Sequence, residues 1–100
     1  MVFGSIVSSP LGSLSPQQAL QLANVYLDNA CNIEDPEIAL VLCHDTEVSL
    51  SQAKKAVRRT GDQEAIKDIA AVYINLGKLL ERRGYGNGAQ TSYKKAVKLG

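Results

Sequence analysis

Cys43, His44 and Asp45 stand side by side, and their types suit a nucleophile, a base and an orienting acid. Consecutive residues of a helix point about 100° apart, so three neighbours on one helix cannot converge on a reacting atom. Zinc is poorly supplied as well. His44 is the only histidine and Cys31 and Cys43 are the only thiols, whereas zinc sites draw three or four such ligands together. His44 is therefore read as a surface residue beside a core cysteine. Gly84, Gly86 and Gly88 raise the question of a phosphate-cradling loop. Such a loop follows a strand and precedes a Lys-Ser/Thr pair; these glycines follow a helical pattern and no such pair comes after them. No catalytic residue, metal or cofactor is expected, and the chain does not read as an enzyme.

Charge is unevenly distributed. Residues 1–53 contain no Lys or Arg and six acids, a formal −6, while residues 54–100 carry eleven Lys and Arg against four acids, a formal +7, and the whole chain has net charge +1. Such a dipole speaks to partners rather than to fold. The basic cluster consists of Lys54, Lys55, Arg58 and Arg59 with Arg82, Arg83, Lys94, Lys95 and Lys98. No aromatic is interleaved with it for base stacking, and solvated helix faces explain it more simply, so nucleic acid is not an expected partner. The acidic half of one copy and the basic half of another suggest a homo-oligomer, head to tail or two-fold.

One hundred residues, 45% apolar and 21% charged, suit one soluble domain. With one Phe, four Tyr and no Trp, small aliphatic residues must build the core, which favours closely packed helices. Residues 1–14 lack the basic start and long apolar centre of a targeting signal. No apolar run approaches the roughly 20 residues of a membrane span. Two thiols in a helical chain read as reduced, which points to the cytoplasm, although a disulfide stays open.

Four helices are predicted, over about 15–30, 36–59, 62–83 and 88–99, after an N-terminal tail of residues 1–14. Ser15-Pro16-Gln17-Gln18 is a capping box with proline at the first helical position. Ala19, Leu22, Ala23, Tyr26 and Ala30 then recur at helical spacing. Asp35-Pro36-Glu37 opens the second helix, where Ala39, Cys43, Thr46, Leu50, Ala53 and Val57 follow a 4-3 spacing. Thr60-Gly61-Asp62 stops it and caps the third, along which Ile66, Ile69, Tyr73, Leu76 and Leu80 form the facing stripe. The fourth carries Ala89, Tyr93 and Ala96. The fold class is all-α.

The third and fourth helices resemble a tetratricopeptide repeat. Tyr73, Leu76, Gly77 and Leu80 fill the first half of that pattern, and Ala89, Tyr93 and Ala96 fill the second, with Gly84 in the turn. Small residues let the helix backbones approach, and the tyrosines fill the remaining gaps. The first two helices resemble a diverged repeat, with Leu22, Ala23 and Tyr26 in the places of Leu76, Gly77 and Leu80, and Ala39 and Cys43 in those of Ala89 and Tyr93. The 54-residue offset from Leu22 to Leu76 exceeds the family period of about 34, which implies a lengthened second helix. The resemblance implies two antiparallel hairpins stacked as a short superhelix over 15–100; a plain four-helix bundle is the alternative packing. Two repeats are fewer than the three or so of a stable array. The expectation is a piece of a longer protein or a self-associating unit, with Phe3, Ile6, Val7 and Leu11 of the tail packed across the groove or on a neighbour.

The resemblance also implies a function. The first helix of each pair lines a concave groove that receives peptides, here with Gln17, Gln21, Asn24 and Asp28 opposite Asn75, Lys78 and Arg82. Asn24 and Asn75 match the asparagines with which chaperone-binding members hold a peptide's backbone or carboxylate; an amide both donates and accepts. Leu20 stands where those members have a clamp lysine, which argues against a chaperone-tail clamp. The expected function is a non-catalytic protein-interaction module, binding a protein or peptide partner. A structural capping or oligomerisation unit of a larger scaffold is the alternative.

Overall fold

The structure, a computed structural model, describes residues 15–99. It contains helices α1 (Pro16–Asn32), α2 (Pro36–Thr60), α3 (Gln63–Arg82) and α4 (Gly86–Leu99), and no strand among the described residues. The expectations for residues 1–14 lie outside the described residues.

Local chemistry sets each boundary. Ser15 Oγ accepts from the Gln18 N–H (3.2 Å) while Gln18 Oε1 accepts from the Ser15 N–H (3.0 Å), so the capping box is complete. Asp35 Oδ1 accepts from the Glu37 and Ile38 amides ahead of α2, and Asp62 Oδ1 from the Ala65 amide ahead of α3. Gly61 closes α2 at φ 69°, in the left-handed region that favours glycine. After α3, the Tyr85 N–H reaches the Leu80 carbonyl (2.8 Å) and the Gly84 N–H reaches that of Glu81 (3.1 Å). This pair of reverse bonds is a Schellman motif, with Gly84 at φ 89°.

Two boundaries differ from expectation. Helix α1 runs on to Asn32, whose side-chain amide donates to the Asp28 carbonyl. Helix α4 starts at Gly86 rather than 88, because the Tyr85 carbonyl already accepts from the Ala89 amide (2.9 Å). Gly86, Asn87 and Gly88 thus occupy the first turn, where amides need no helical partner and poor propensity costs least.

Helices α1 and α2 form one close hairpin and α3 and α4 a second. Helix α3 also packs, less extensively, on α2 and α1, whereas α1 and α4 do not meet. A closed four-helix bundle would bring the first and last helices together; the hairpins instead lie stacked in an open layer. The radius of gyration is 14.1 Å and the thinnest extent 16 Å, against a radius of about 12–13 Å for a compact chain of this length. Tyr73, Leu50, Ile69 and Leu76 are the large, fully buried side chains at the centre.

The α1 stripe needs correction. Leu22 is 39% exposed and Tyr26 only half-buried, while Leu20 and Leu27 are buried with Pro16, Ala19, Ala23 and Ala30. Helix α1 contacts both α2 and α3, so it needs a broader apolar strip, and Leu20 and Leu27 supply its second edge. Burial therefore aligns Leu20, Ala23 and Leu27 with Tyr73, Leu76 and Leu80, one residue away from the expected register. Between α2 and α4 the expected register holds, with Ala39 and Thr46 buried like Ala89 and Ala96. The expected α2 stripe is buried throughout, joined by Ser49 and Ala56; on α3, Ile66 is only partly buried.

A close approach lies inside the second hairpin. A Cβ at Gly77 would lie 2.6 Å from Cε1 and 2.9 Å from Cδ1 of Tyr93. The Tyr93 ring occupies the space a side chain at 77 would take, and its hydroxyl donates to Glu81 Oε1 (2.8 Å). Nearby, the buried Ser92 hydroxyl donates to the Tyr73 carbonyl (2.9 Å), a polar link between α4 and α3.

Candidate functional site

Helices α1 and α3 run side by side in the same direction, fastened at both ends. At their starts the Gln17 side-chain amide donates to Asp62 Oδ2 (2.8 Å). At their ends Arg83 Nη2 donates to the carbonyls of Ala30 (2.9 Å) and Ile33 (2.7 Å). These carbonyls belong to the last turn and cap of α1, which lack helical donors and carry the negative end of the helix dipole. A guanidinium is well matched to that task. The Asp62 carboxyl is held below the usual carboxylate range, first by the Ala65 amide and then by the Gln17 side chain.

Between these fastenings lie two adjoining depressions that share Asn75. The first, of about 650 Å³, has Asp28 and Cys31 on its α1 wall and Asn75, Lys78, Glu81 and Arg82 on its α3 wall. The second, of about 400 Å³, is lined by Gln17, Gln21 and Asn24 opposite Asp68 and Asn75. All six expected binding residues (Gln21, Asn24, Asp28, Asn75, Lys78 and Arg82) are exposed and line this groove.

Sequence reasoning missed the floor and part of the rim. Leu20 and Val72 under one depression and Leu27 under the other are nearly buried, so polar walls stand on an apolar base. Their 3-4 spacing with Ala23 and Leu76 was a usable signal. Glu81 and Cys31 complete the rim, with Arg82 Nη2 4.0 Å from Cys31 Sγ. The amide-rich section can donate to and accept from an extended backbone. The other section sets an acid on α1 against cations on α3, an arrangement suited to a ligand carrying both charges.

The other candidates disperse. Cys43 is buried and His44 exposed. Burial pushes the Cys43 thiol pKa up, against the opposing pull of the Arg83 guanidinium. Both thiols are free. Among the described residues no three His, Cys, Asp or Glu side chains gather as a metal site. The basic cluster is divided among several surfaces. Arg82 lines the groove, Arg83 caps α1, and Lys95 pairs with Glu47 (3.0 Å) where both are partly buried. Lys54 and Lys95 place their ammonium groups 5.8 and 5.9 Å from the Tyr73 ring centre. That ring is 1% exposed and offers no stacking face to a base.

These features define an all-helical stack of hairpins with a polar groove between two parallel helices. No described helix is long and apolar enough to cross a membrane. Comparison with protein-family models, with curated protein sequences and with solved structures yields no match to this chain.

Proposed function

We propose that the chain is a non-catalytic protein-interaction module of tetratricopeptide type that holds a partner peptide along the α1–α3 groove. The single observation carrying this reading is the convergence of six residues, chosen for their places in a repeat pattern, on two depressions that meet at Asn75. Asn24, Asn75 and Gln21 hold the peptide backbone; Asp28, Lys78 and Arg82 read charged side chains of the ligand. The setting that goes with this reading is a reducing cytoplasm, in keeping with the free thiols of Cys31 and Cys43.

The test is selection from a random peptide display library against the wild-type chain, repeated with Asn75→Ala and Lys78→Glu. Both positions are exposed, so helicity by circular dichroism stays unchanged. Peptides enriched by the wild type and lost by both variants support the groove. Failure to enrich any sequence, or enrichment indifferent to both substitutions, removes it.

A further inference from the structure

Stacking the second hairpin on the first covers one face of α2. Leu40, Cys43, His44 and Glu47 line a hollow there, bordered on its other side by Leu80, Tyr85 and Gly88 of the second hairpin. The α2–α4 register places Gln90, Tyr93, Lys94 and Val97 in the corresponding positions of α4. These residues, with Lys98, line an open depression of about 480 Å³ to which no other described helix contributes. Val97 is 77% exposed there.

Among the described residues nothing covers the opposite end of the stack either. Leu22 and Tyr26 of α1 and Asp45 and Val48 of α2 border a hollow of about 180 Å³. Val25 and Val41 on the same two helices are 55% and 60% exposed. The first hairpin thus gathers several exposed apolar side chains at its end, the mark of an association surface, and α4 offers Val97 beside the half-buried Tyr93 at the other.

Charge says which surface meets which. Within the chain, the second hairpin brings Lys95 onto Glu47 of the first. The same α2–α4 register pairs Asp45 with Lys95, and Val97 with Glu47. Repeating the stacking operation between molecules therefore sets Asp45 of one copy beside Val97 of another, with Lys94 and Lys98 flanking it. The pair survives with its signs reversed. It also joins the half of the chain that has no Lys or Arg to the half that has eleven.

We propose that this chain binds a second copy of itself head to tail, the first hairpin of one molecule seated on α4 of the next. The contact is heterologous, so it leaves a free face at each end and growth continues rather than closing on a dimer. It uses surfaces separate from the α1–α3 groove, so Asn75→Ala leaves it unchanged and the two proposals fail independently.

Sedimentation velocity of the full chain from micromolar to millimolar concentration tests this. The weight-average mass rises steadily past that of a dimer, and less so in high salt. Val97→Asp abolishes association. Asp45→Lys alone and Lys94→Glu with Lys98→Glu each weaken it by about tenfold or more, a coupling typical of interfacial charge pairs. Mixing those two variants restores it, because each supplies the sign the other lacks. Three results overturn the proposal: a monomer at every concentration, a plateau at twice the monomer mass, or association indifferent to these substitutions. A full chain that stays monomeric while one lacking residues 1–14 associates assigns the face to that segment instead, and equally overturns it.

Discussion

Gly77→Ala isolates the close approach on which the second hairpin depends. Alanine improves an exposed helix interior by about 1 kcal/mol over glycine, so propensity alone predicts stabilisation. At this site the new methyl would lie 2.6, 2.9 and 3.0 Å from three atoms of the Tyr93 ring, where carbon atoms pack at about 3.5–4.0 Å. The ring must therefore retreat by nearly 1 Å, and it is tethered through its hydroxyl to Glu81. Overpacking of this kind costs about 1–3 kcal/mol, more than the propensity gain over most of that range. The net expectation is a loss of up to about 2 kcal/mol, a fall in Tm of up to roughly 16 °C for a domain of this size. In a Tyr93→Ala background the obstruction is gone, and the same substitution gains the full 1 kcal/mol or so. The change of sign is the diagnostic. Urea denaturation followed by circular dichroism measures all four members of the cycle, with a fixed concentration of a stabilising osmolyte keeping the weakest folded. Gly77→Ala stabilising equally in both backgrounds would refute the packing argument.

Arg83→Ala frees the carbonyls of Ala30 and Ile33 from charge-assisted bonds and loosens α3 from α1. The expected loss is about 2–3 kcal/mol by denaturation, with Arg83→Lys recovering only part because an ammonium is more strongly hydrated than a guanidinium and gives up more water to make the same bonds. Asp62 has a folded-state pKa below its ordinary 3.8, so its contribution is complete above the unfolded value and disappears as pH falls through the folded one. Stability measured from pH 5 down to pH 2 should decline less steeply in Asp62→Asn than in the wild type. Thiol labelling at pH 8 should show one fast cysteine, the exposed Cys31, and one slow, the buried Cys43. Equal rates would contradict the burial of Cys43.

The capping residues were legible because their chemistry is local. Ser15, Asp35 and Asp62 act on amides two or three residues away, and Gly61 and Gly84 answer to their own φ. The stripes on α2 and α3 were legible because each is a single 4-3 seam. Helix α1 was harder. It carries Ala19, Leu22 and Ala23 at one spacing and Pro16, Leu20, Ala23, Leu27 and Ala30 at another, and both look helical. Size does not separate Leu20 and Leu27 from Leu22 and Tyr26; the choice is made by α3, which packs on α1 beside α2 and calls the Leu20 and Leu27 edge into the core. The groove walls followed from repeat positions, but its floor inherited the α1 error. The outer cations of α4 were visible only as a run of lysines until the fold showed which of them meets Glu47.

The α1–α3 contact links architecture to binding. In a stacked array each unit touches only its neighbours, so stability is close to a sum of unit and interface terms. Here the contact within each hairpin is the more extensive, while the interface between them combines part of one apolar core that spans both hairpins with polar fastenings: Gln17 to Asp62, Arg83 to the end of α1, and Lys95 to Glu47. That smaller interface also sets the width of the groove. On the proposed function, a peptide that spans Asn24 and Asn75 would bridge the two hairpins and add to the contacts holding them together. Binding and stacking are then linked by mass action, so a groove ligand raises the stability of the whole stack. The same linkage runs in reverse, because loosening Arg83 or Asp62 weakens the ligand without touching it. Groove affinity should therefore fall in Arg83→Ala even though Arg83 lines neither depression.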